Sequence, residues 1–263
     1  MKIIVTVKQV PDQDIPQKSF RVDDAGKAIV EPAGFARVLN GYDANALEEA
    51  VRLKEKHGGT VTAVTLGREP ARDVLRYALA AGADAAVHLC DPAWDGADSS
   101  IVARLLAAAI GKIGGYDLVL CGRQASDTDG GQTHLRLAEL LGLPAASPVR
   151  QIESIEGGVV LVQRGTDDGH QRLRVRLPAL LGISSEINEP RTPPVARLLA
   201  ARRATISLWT AADLAVGDRG PRVELRRLYL ETSESKLELI DAGSPEASGV
   251  ALAELLHGAR LLS

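Results

Sequence analysis

YDLVLCGRQASDTDGGQTHLRLAELLGLP, residues Tyr116 to Pro144, carries a strand, a polar loop and a helix in that order. Leu118 to Cys121, preceded by Asp117, is an apolar run of strand length. Gly, Ser, Thr and Asp then dominate until a helical pattern begins. In a parallel α/β sheet such a loop lies beyond the carboxyl end of its strand. There the first turn of the next helix leaves backbone N–H groups free and a partial positive charge, a setting that suits phosphate. Gly122, Ala125, Ser126, Gly130 and Gly131 are small enough for close approach, and Ser126, Thr128, Gln132 and Thr133 offer short hydrogen-bonding groups. The loop also reads as a plain connection, because it matches neither G-x-G-x-x-G nor G-x-x-x-x-G-K.

Upstream the same alternation repeats. Lys2 to Val10 is an Ile- and Val-rich strand ending at Pro11-Asp12, followed by a polar excursion from Gln13 to Arg37 with a hairpin turn at Asp23, Asp24 and Gly26. Ala44 to Lys56 is a helix with Ala46, Leu47, Ala50, Val51 and Leu53 on one face, and Asp43 is its expected N-cap. Thr60 to Leu66 is a strand, Ala71 to Ala81 a helix, Ala85 to Cys90 a strand and Ser99 to Ile113 a helix. Such order implies right-handed crossovers and an α/β fold, a doubly wound, mainly parallel sheet.

Downstream of Pro148, Val149 to Ile155, Val159 to Arg164 and Gln171 to Val175 flank two turn signals and predict an antiparallel hairpin addition. Pro178 to Ile183 is one more buried strand. We assign residues 1–184 to an α/β nucleotide-binding domain and 185–263 to a C-terminal stretch that reads as an arm wrapping a partner, within which the family resemblance given below implies a recognition loop. The latter stretch contains a helix from Val195 to Ala204, the run ISLWTAADLA at Ile206 to Ala215, the basic run of Glu224 to Glu231 and a helix from Ser244 to Leu262.

A formal net charge of -3 gives no basic excess for nucleic acid, and 3% aromatic residues leave few stacking platforms. No apolar run reaches the roughly 18 to 20 residues of a membrane span, and no signal peptide is read at MKIIVTVKQ, so a cytoplasmic location is expected. Cys90 and Cys121 fall in apolar runs and read as small hydrophobes. His88 reads as a core residue and His134 as an ordinary neutral imidazole in a first turn. Asp127, Asp129, Asp167 and Asp168 read as solvated turns because no metal-ligand spacing recurs. No nucleophile motif appears, so the chemistry is that of a binder.

VKQVPD at Val7 to Asp12, LNGYDANALEEAVRLKEK at Leu39 to Lys56, LRYALAAGADAAVHL at Leu75 to Leu89, GRQASDTDGGQT at Gly122 to Thr133 and INEPR at Ile187 to Arg191 together resemble the β subunit of electron transfer flavoproteins. The resemblance implies a heterodimer with an α subunit that holds most of a shared FAD. It also implies electron passage between flavin dehydrogenases and a quinone oxidoreductase or similar acceptor, and a nucleotide in the β subunit itself, either AMP or a second FAD. Carried over by motif, that nucleotide would meet Thr6, Lys8, Asn40, Asp43, Leu66, Ala125, Asp127, Gly131, Gln132 and Thr133. Partner recognition would fall on Val195, ahead of Arg202 and Arg203. The chain departs from the family at His134-Leu135, where Gly is usual at the first position, and at Gly41, where Pro is usual. From the residues alone, a stand-alone adenine-nucleotide-binding regulator of the same fold is the alternative.

Overall fold

The computed structural model describes residues 1–12, 14–16, 19–30, 36–217, 220–230 and 237–261. These residues form β1 (Lys2–Thr6), β2 (Gln9–Pro11), β3 (Arg21–Val22), β4 (Ile29–Val30), β5 (Arg37–Leu39), α1 (Gly41–His57), β6 (Thr60–Leu66), α2 (Arg72–Ala81), β7 (Ala85–Leu89), α3 (Ser99–Ile113), β8 (Leu118–Gly122), α4 (Thr133–Leu141), β9 (Ala145–Glu156), β10 (Val159–Thr166), β11 (Gly169–Arg176), β12 (Ala179–Ile183), α5 (Val195–Ala201), β13 (Ser207–Trp209), α6 (Ala211–Leu214) and α7 (Pro245–Gly258).

One sheet runs in the order β11-β10-β9-β12-β8-β1-β6-β7-β13. The seven strands from β9 to β13 in that order are mutually parallel, and β10 and β11 extend the sheet antiparallel beyond β9. The mainly parallel sheet with an antiparallel addition is therefore as the sequence predicts. Alternate residues of each strand face opposite layers. Ile3, Val5, Leu118 and Leu120 pack under α1 and α2 with Leu47, Ala50, Val74 and Leu75. Ile4, Val64 and Val119 pack under α3 and α4 with Leu105, Leu106, Ala109 and Leu137. Both faces are thus covered, which is why these strands read as continuous apolar runs rather than alternating ones. Truncating a fully buried side chain such as Leu75 to Ala costs about 2–5 kcal/mol.

Two expectations need correction. Lys2 to Val10 is not one strand: the chain leaves the sheet after Thr6, and β2 pairs with β5 in a separate two-stranded ribbon. The cause is local, since Val7 N still donates to Val64 O (2.9 Å) whereas Lys8 N is captured by the Asp43 carboxylate (2.8 Å). The helix starting at Val195 stops at Ala201, not Ala204. The β3–β4 hairpin turns at Asp23, whose Oδ1 accepts from Lys27 N and Ala28 N. Glu231 and Leu262, the ends of two predicted segments, lie outside the described residues.

From α1 to α2 the chain winds to one side of β1, from α3 to β12 it winds to the other, and β13 then returns to the first side beyond β7. The strand order therefore reverses between β1 and β8, the place where open α/β sheets bind ligands beyond the carboxyl ends of their strands.

Candidate functional site

A cleft of about 680 Å³ opens at that reversal, a volume within the roughly 300–1,000 Å³ of small-molecule sites. The ends of β1, β6 and β8, the first turn of α1, and the loops leading into α3 and α4 enclose it. Of the nucleotide contacts carried over by resemblance, Thr6, Lys8, Asn40, Asp43, Leu66, Ala125, Gly131, Gln132 and Thr133 all line it. Asp127 stands at the edge, where both its oxygens accept from Lys8 Nζ at 2.7 and 2.8 Å. That pair spans from β1 to the loop after β8.

Asp43 is not the N-cap of α1. The helix starts one turn earlier, at Gly41, with Asn40 in the cap position and no side chain capping it. Both residues instead brace the site. The Asp43 carboxylate, 6% exposed, accepts from Lys8 N (2.8 Å) and Gly122 N (3.0 Å), joining the ends of β1 and β8. Asn40 donates through Nδ2 to Gln124 O (2.8 Å) and accepts at Oδ1 from Ser126 N (3.1 Å), fixing the first turn of the loop. Gly122 is required there, because a Cβ on it would stand 2.4 Å from Asp43 Oδ1. Burial pushes the Asp43 carboxyl up to about 7, against the opposing hydrogen bonds from Asn40, Lys8 and Gly122. Burial likewise raises the neighbouring Cys121 thiol to about 12, so it is an inert hydrophobe, as its position in an apolar run implies.

The loop itself is a series of tight turns. Ala125 O accepts from Asp129 N at 2.8 Å, Asp129 has φ of 46° and Gly131 φ of 57°, and Gln124 Nε2 donates to Asp129 Oδ1. The chain then enters α4 with Gln132 in the cap position and no side chain capping the helix; Gln132 Oε1 accepts from Arg136 instead, and lies 3.3 Å from Ser99 Oγ. The N–H groups of that first turn have no intrahelical acceptor, and Gln132, Thr133 and His134 line the cleft. Arg123 also lines the cleft, with its Nε buried and lacking a hydrogen-bond partner and its guanidinium 5.1 Å from the Tyr42 ring centroid. Free first-turn N–H groups and an unsatisfied guanidinium N–H fit an anionic nucleotide.

Arg123, and the far wall formed by Trp94, Gly96 and Ser99, were not singled out as contacts from sequence. Arg123 stands inside the GRQA motif, and Asp95 to Asp98 precede a helix, so composition held a trace of each. His134, the departure from the family, is buried in the first turn of α4 with Nε2 2.8 Å from Ser147 Oγ; burial lowers its pKa, keeping it neutral. Gly182 makes its room, since a Cβ there would lie 2.7 Å from His134 Cδ2. His88 is in the core and bonds Gly67 O at 2.9 Å.

Val195, Arg202 and Arg203 lie elsewhere, at α5, which packs on α2. Val195 is 71% exposed and Arg202 and Arg203 are exposed too. The segment before α5 is pinned to α1. Arg191 donates to both carboxylates of Glu48 and Glu55, and Asn188 and Asn45 exchange side-chain bonds with each other's backbone carbonyl.

The family model described as "Electron transfer flavoprotein domain" matches residues 29–214. The electron transfer flavoprotein subunit beta of Thermoanaerobacterium thermosaccharolyticum is 38% identical over 250 residues, covering 95% of this chain and 91% of that protein. The protein of the same name from Clostridium acetobutylicum is 34% identical over 260 residues, covering 97% and 98%. The caffeyl-CoA reductase-Etf complex subunit CarD of Acetobacterium woodii is 37% identical over 217 residues, covering 82% and 80%. A doubly wound sheet with a nucleotide-sized cleft at its switch point, matched by these proteins over most of its length, places the chain in the electron transfer flavoprotein family, among its β subunits.

Proposed function

We propose that the chain holds an adenine-containing nucleotide in the cleft between β1 and β8 and, as a heterodimer with an α subunit, carries electrons from flavin dehydrogenases to a quinone oxidoreductase or similar acceptor in the cytoplasm. The observation that carries this reading is the convergence of Thr6, Lys8, Asn40, Asp43, Leu66, Ala125, Gly131, Gln132 and Thr133 on one cleft. The flavin supplies the redox chemistry when bound. The chain's part is to bind and orient: α4's first-turn N–H groups and Arg123 meet phosphate, Lys8 offsets its charge, and Leu66 and Ala125 give apolar contact. Asn40 and Asp43 hold that arrangement in place.

The cleft does not end at the loop. It continues past Gln9 and Pro70 to Arg68 and Trp94, which supports a dinucleotide, a second FAD, over AMP. Exposed Val195, Leu198 and Leu199 on α5 support docking of a dehydrogenase there, with Arg202 and Arg203 beside them as charged contacts. Exposed Leu237, Leu239, Val250, Leu252 and Leu255 in the C-terminal segment support an arm that closes on the α subunit, and count against a stand-alone regulator.

Co-expression with an α subunit followed by denaturation and identification of the released nucleotides tests the whole reading. Two FAD per heterodimer is the expected result, one FAD with one AMP would leave the cleft reading standing with the smaller ligand, and a colourless monomer would refute it.

A further inference from the structure

The carboxylate of Asp98 serves two elements at once. Its Oδ1 accepts from Ser100 N and Ile101 N, both at 2.9 Å, capping α3. Its Oδ2 accepts from Arg222 N at 2.7 Å and Val223 N at 3.2 Å, at the root of the C-terminal arm. The sequence separation is 124 residues for the first of these arm bonds, so this is a tertiary tie and not a local turn. Asp91, in the same β7–α3 connection, works the same way a step earlier: Oδ1 accepts from Ala93 N and Oδ2 from Ala211 N at the start of α6. Beyond Val223 the arm has no regular structure up to residue 230 and touches the β3–β4 hairpin, through Leu228 N to Gly26 O (2.7 Å) and Lys27 Nζ to Leu225 O.

The other side of α3's first turn is a wall of the cleft. Gly96, Ala97, Ser99 and Val102 line it, and Ser99 Oγ lies 3.3 Å from Gln132 Oε1 at the start of α4. A ligand that seats against the entrances of α3 and α4 therefore presses on the residues immediately flanking Asp98. We propose that Asp98 is a positioning residue that couples occupancy of the cleft to the order of the C-terminal arm, so that nucleotide and the subunit gripped by the arm bind with positive cooperativity. The proposal rests on the reading of the cleft as a nucleotide site. A ligand that fixes the α3 entrance fixes the carboxylate, and the carboxylate fixes the arm root; by linkage, an arm held by a partner steadies the cleft wall in return.

Amide hydrogen exchange on the full-length chain tests this, with AMP and then FAD as probes and calorimetry to report binding. In the wild-type chain a bound nucleotide is expected to slow exchange at Arg222 and Val223 at least about fivefold. Asp98→Asn separates the two halves of the contact. Asn caps helices about as well as Asp, so its carbonyl keeps Ser100 and Ile101, while its NH₂ faces the arm's N–H groups donor against donor. This variant should retain protection of the α3 first turn, and should lose both the resting protection at 222–223 and its response to nucleotide. Asp98→Ala should lose protection at both places. Binding of nucleotide without any change at 222–223, or an unchanged response in Asp98→Asn, overturns the coupling and leaves the cleft reading intact. No binding of either nucleotide overturns both.

Discussion

Glu48, 4% exposed in the middle of α1, receives the guanidinium of Arg191 at 2.8 and 3.1 Å and the backbone N–H of Arg191 at 3.1 Å. Burial alone would raise its pKa, yet the hydrogen bonds from Arg191 and Arg52 win and hold the carboxyl below its ordinary value. Arg191 also forks onto Glu55, so one side chain fastens the segment before α5 to two turns of α1.

Arg191→Met should therefore strand a carboxylate with Arg52 as its remaining guanidinium partner. Half-buried pairs broken from one side cost about 2 kcal/mol, less than the 3–5 of a fully buried pair. A depressed carboxyl pKa gives stability that is present above the unfolded value near 4.5 and is lost as the pH falls through the folded value. The gap in thermal midpoint between wild type and Arg191→Met should accordingly be widest at neutral pH and should close below about pH 4. Thermal unfolding at steps from pH 7 down to pH 3 measures it, and a constant gap across that range would refute the assignment.

Asp43 predicts the opposite sign. Its carboxyl is raised to about 7 in the fold and titrates near 4 in the unfolded chain, so the native state holds the extra proton between those values. Stability should fall as pH rises from 5 to 8 and then level off. Asp43→Asn, which does not titrate, should lack that slope even though it weakens one of the two backbone bonds. Circular dichroism melts of both proteins across this range provide the comparison, with about 2–4 °C expected for each kcal/mol.

Lys8 and Asp127 form a partly exposed pair, worth about 0–1 kcal/mol to stability. Their value lies in the cleft. Lys8→Met should change the melting temperature by less than about 2 °C and weaken nucleotide binding about tenfold, with the loss shrinking at high salt as screening removes the wild-type advantage. Calorimetric titration with AMP or FAD at two ionic strengths reads both effects.

Removing residues after 216 should leave the nine-stranded sheet folded, because the described residues beyond α6 contribute no strand to it and α7 has no buried residue. The truncated chain should fail to co-purify with an α subunit. Val195→Glu, by contrast, should leave that complex intact and raise the KM of a partner flavin dehydrogenase for it. Loss of the heterodimer in Val195→Glu would mean that α5 serves the α subunit instead.

What was legible in the sequence follows from burial. A strand covered on both faces must be apolar throughout, so β6, β7, β8 and β12 announce themselves, and a β8 loop full of Gly, Ser and Asp marks the carboxyl end of its strand. The break after Thr6 was hidden because Val7 and Val10 are about as buried as Ile4, though Val7 lies past the end of β1 and Val10 lies on β2. Asp43 and Asn40 beside a helix start match the capping signature equally well whether they serve their own helix or, as here, a loop more than 75 residues away. Asp98 gives the same ambiguity: its role as a cap is local, while its hold on Arg222 has no sequence trace at all.

β13 is three residues long and barely alters the core, but it lies along β7, which otherwise would form the parallel end of the sheet with its peptide groups open. At the opposite end the outward positions of β11 carry Arg172, Arg174 and Arg176, charges that discourage another strand from adding there. Only the β7 side relies on a cover rather than on charge. A chain cut before Ser207 would therefore carry a bare apolar strand as a template, and its failure would take the form of strand-to-strand self-association rather than simple unfolding.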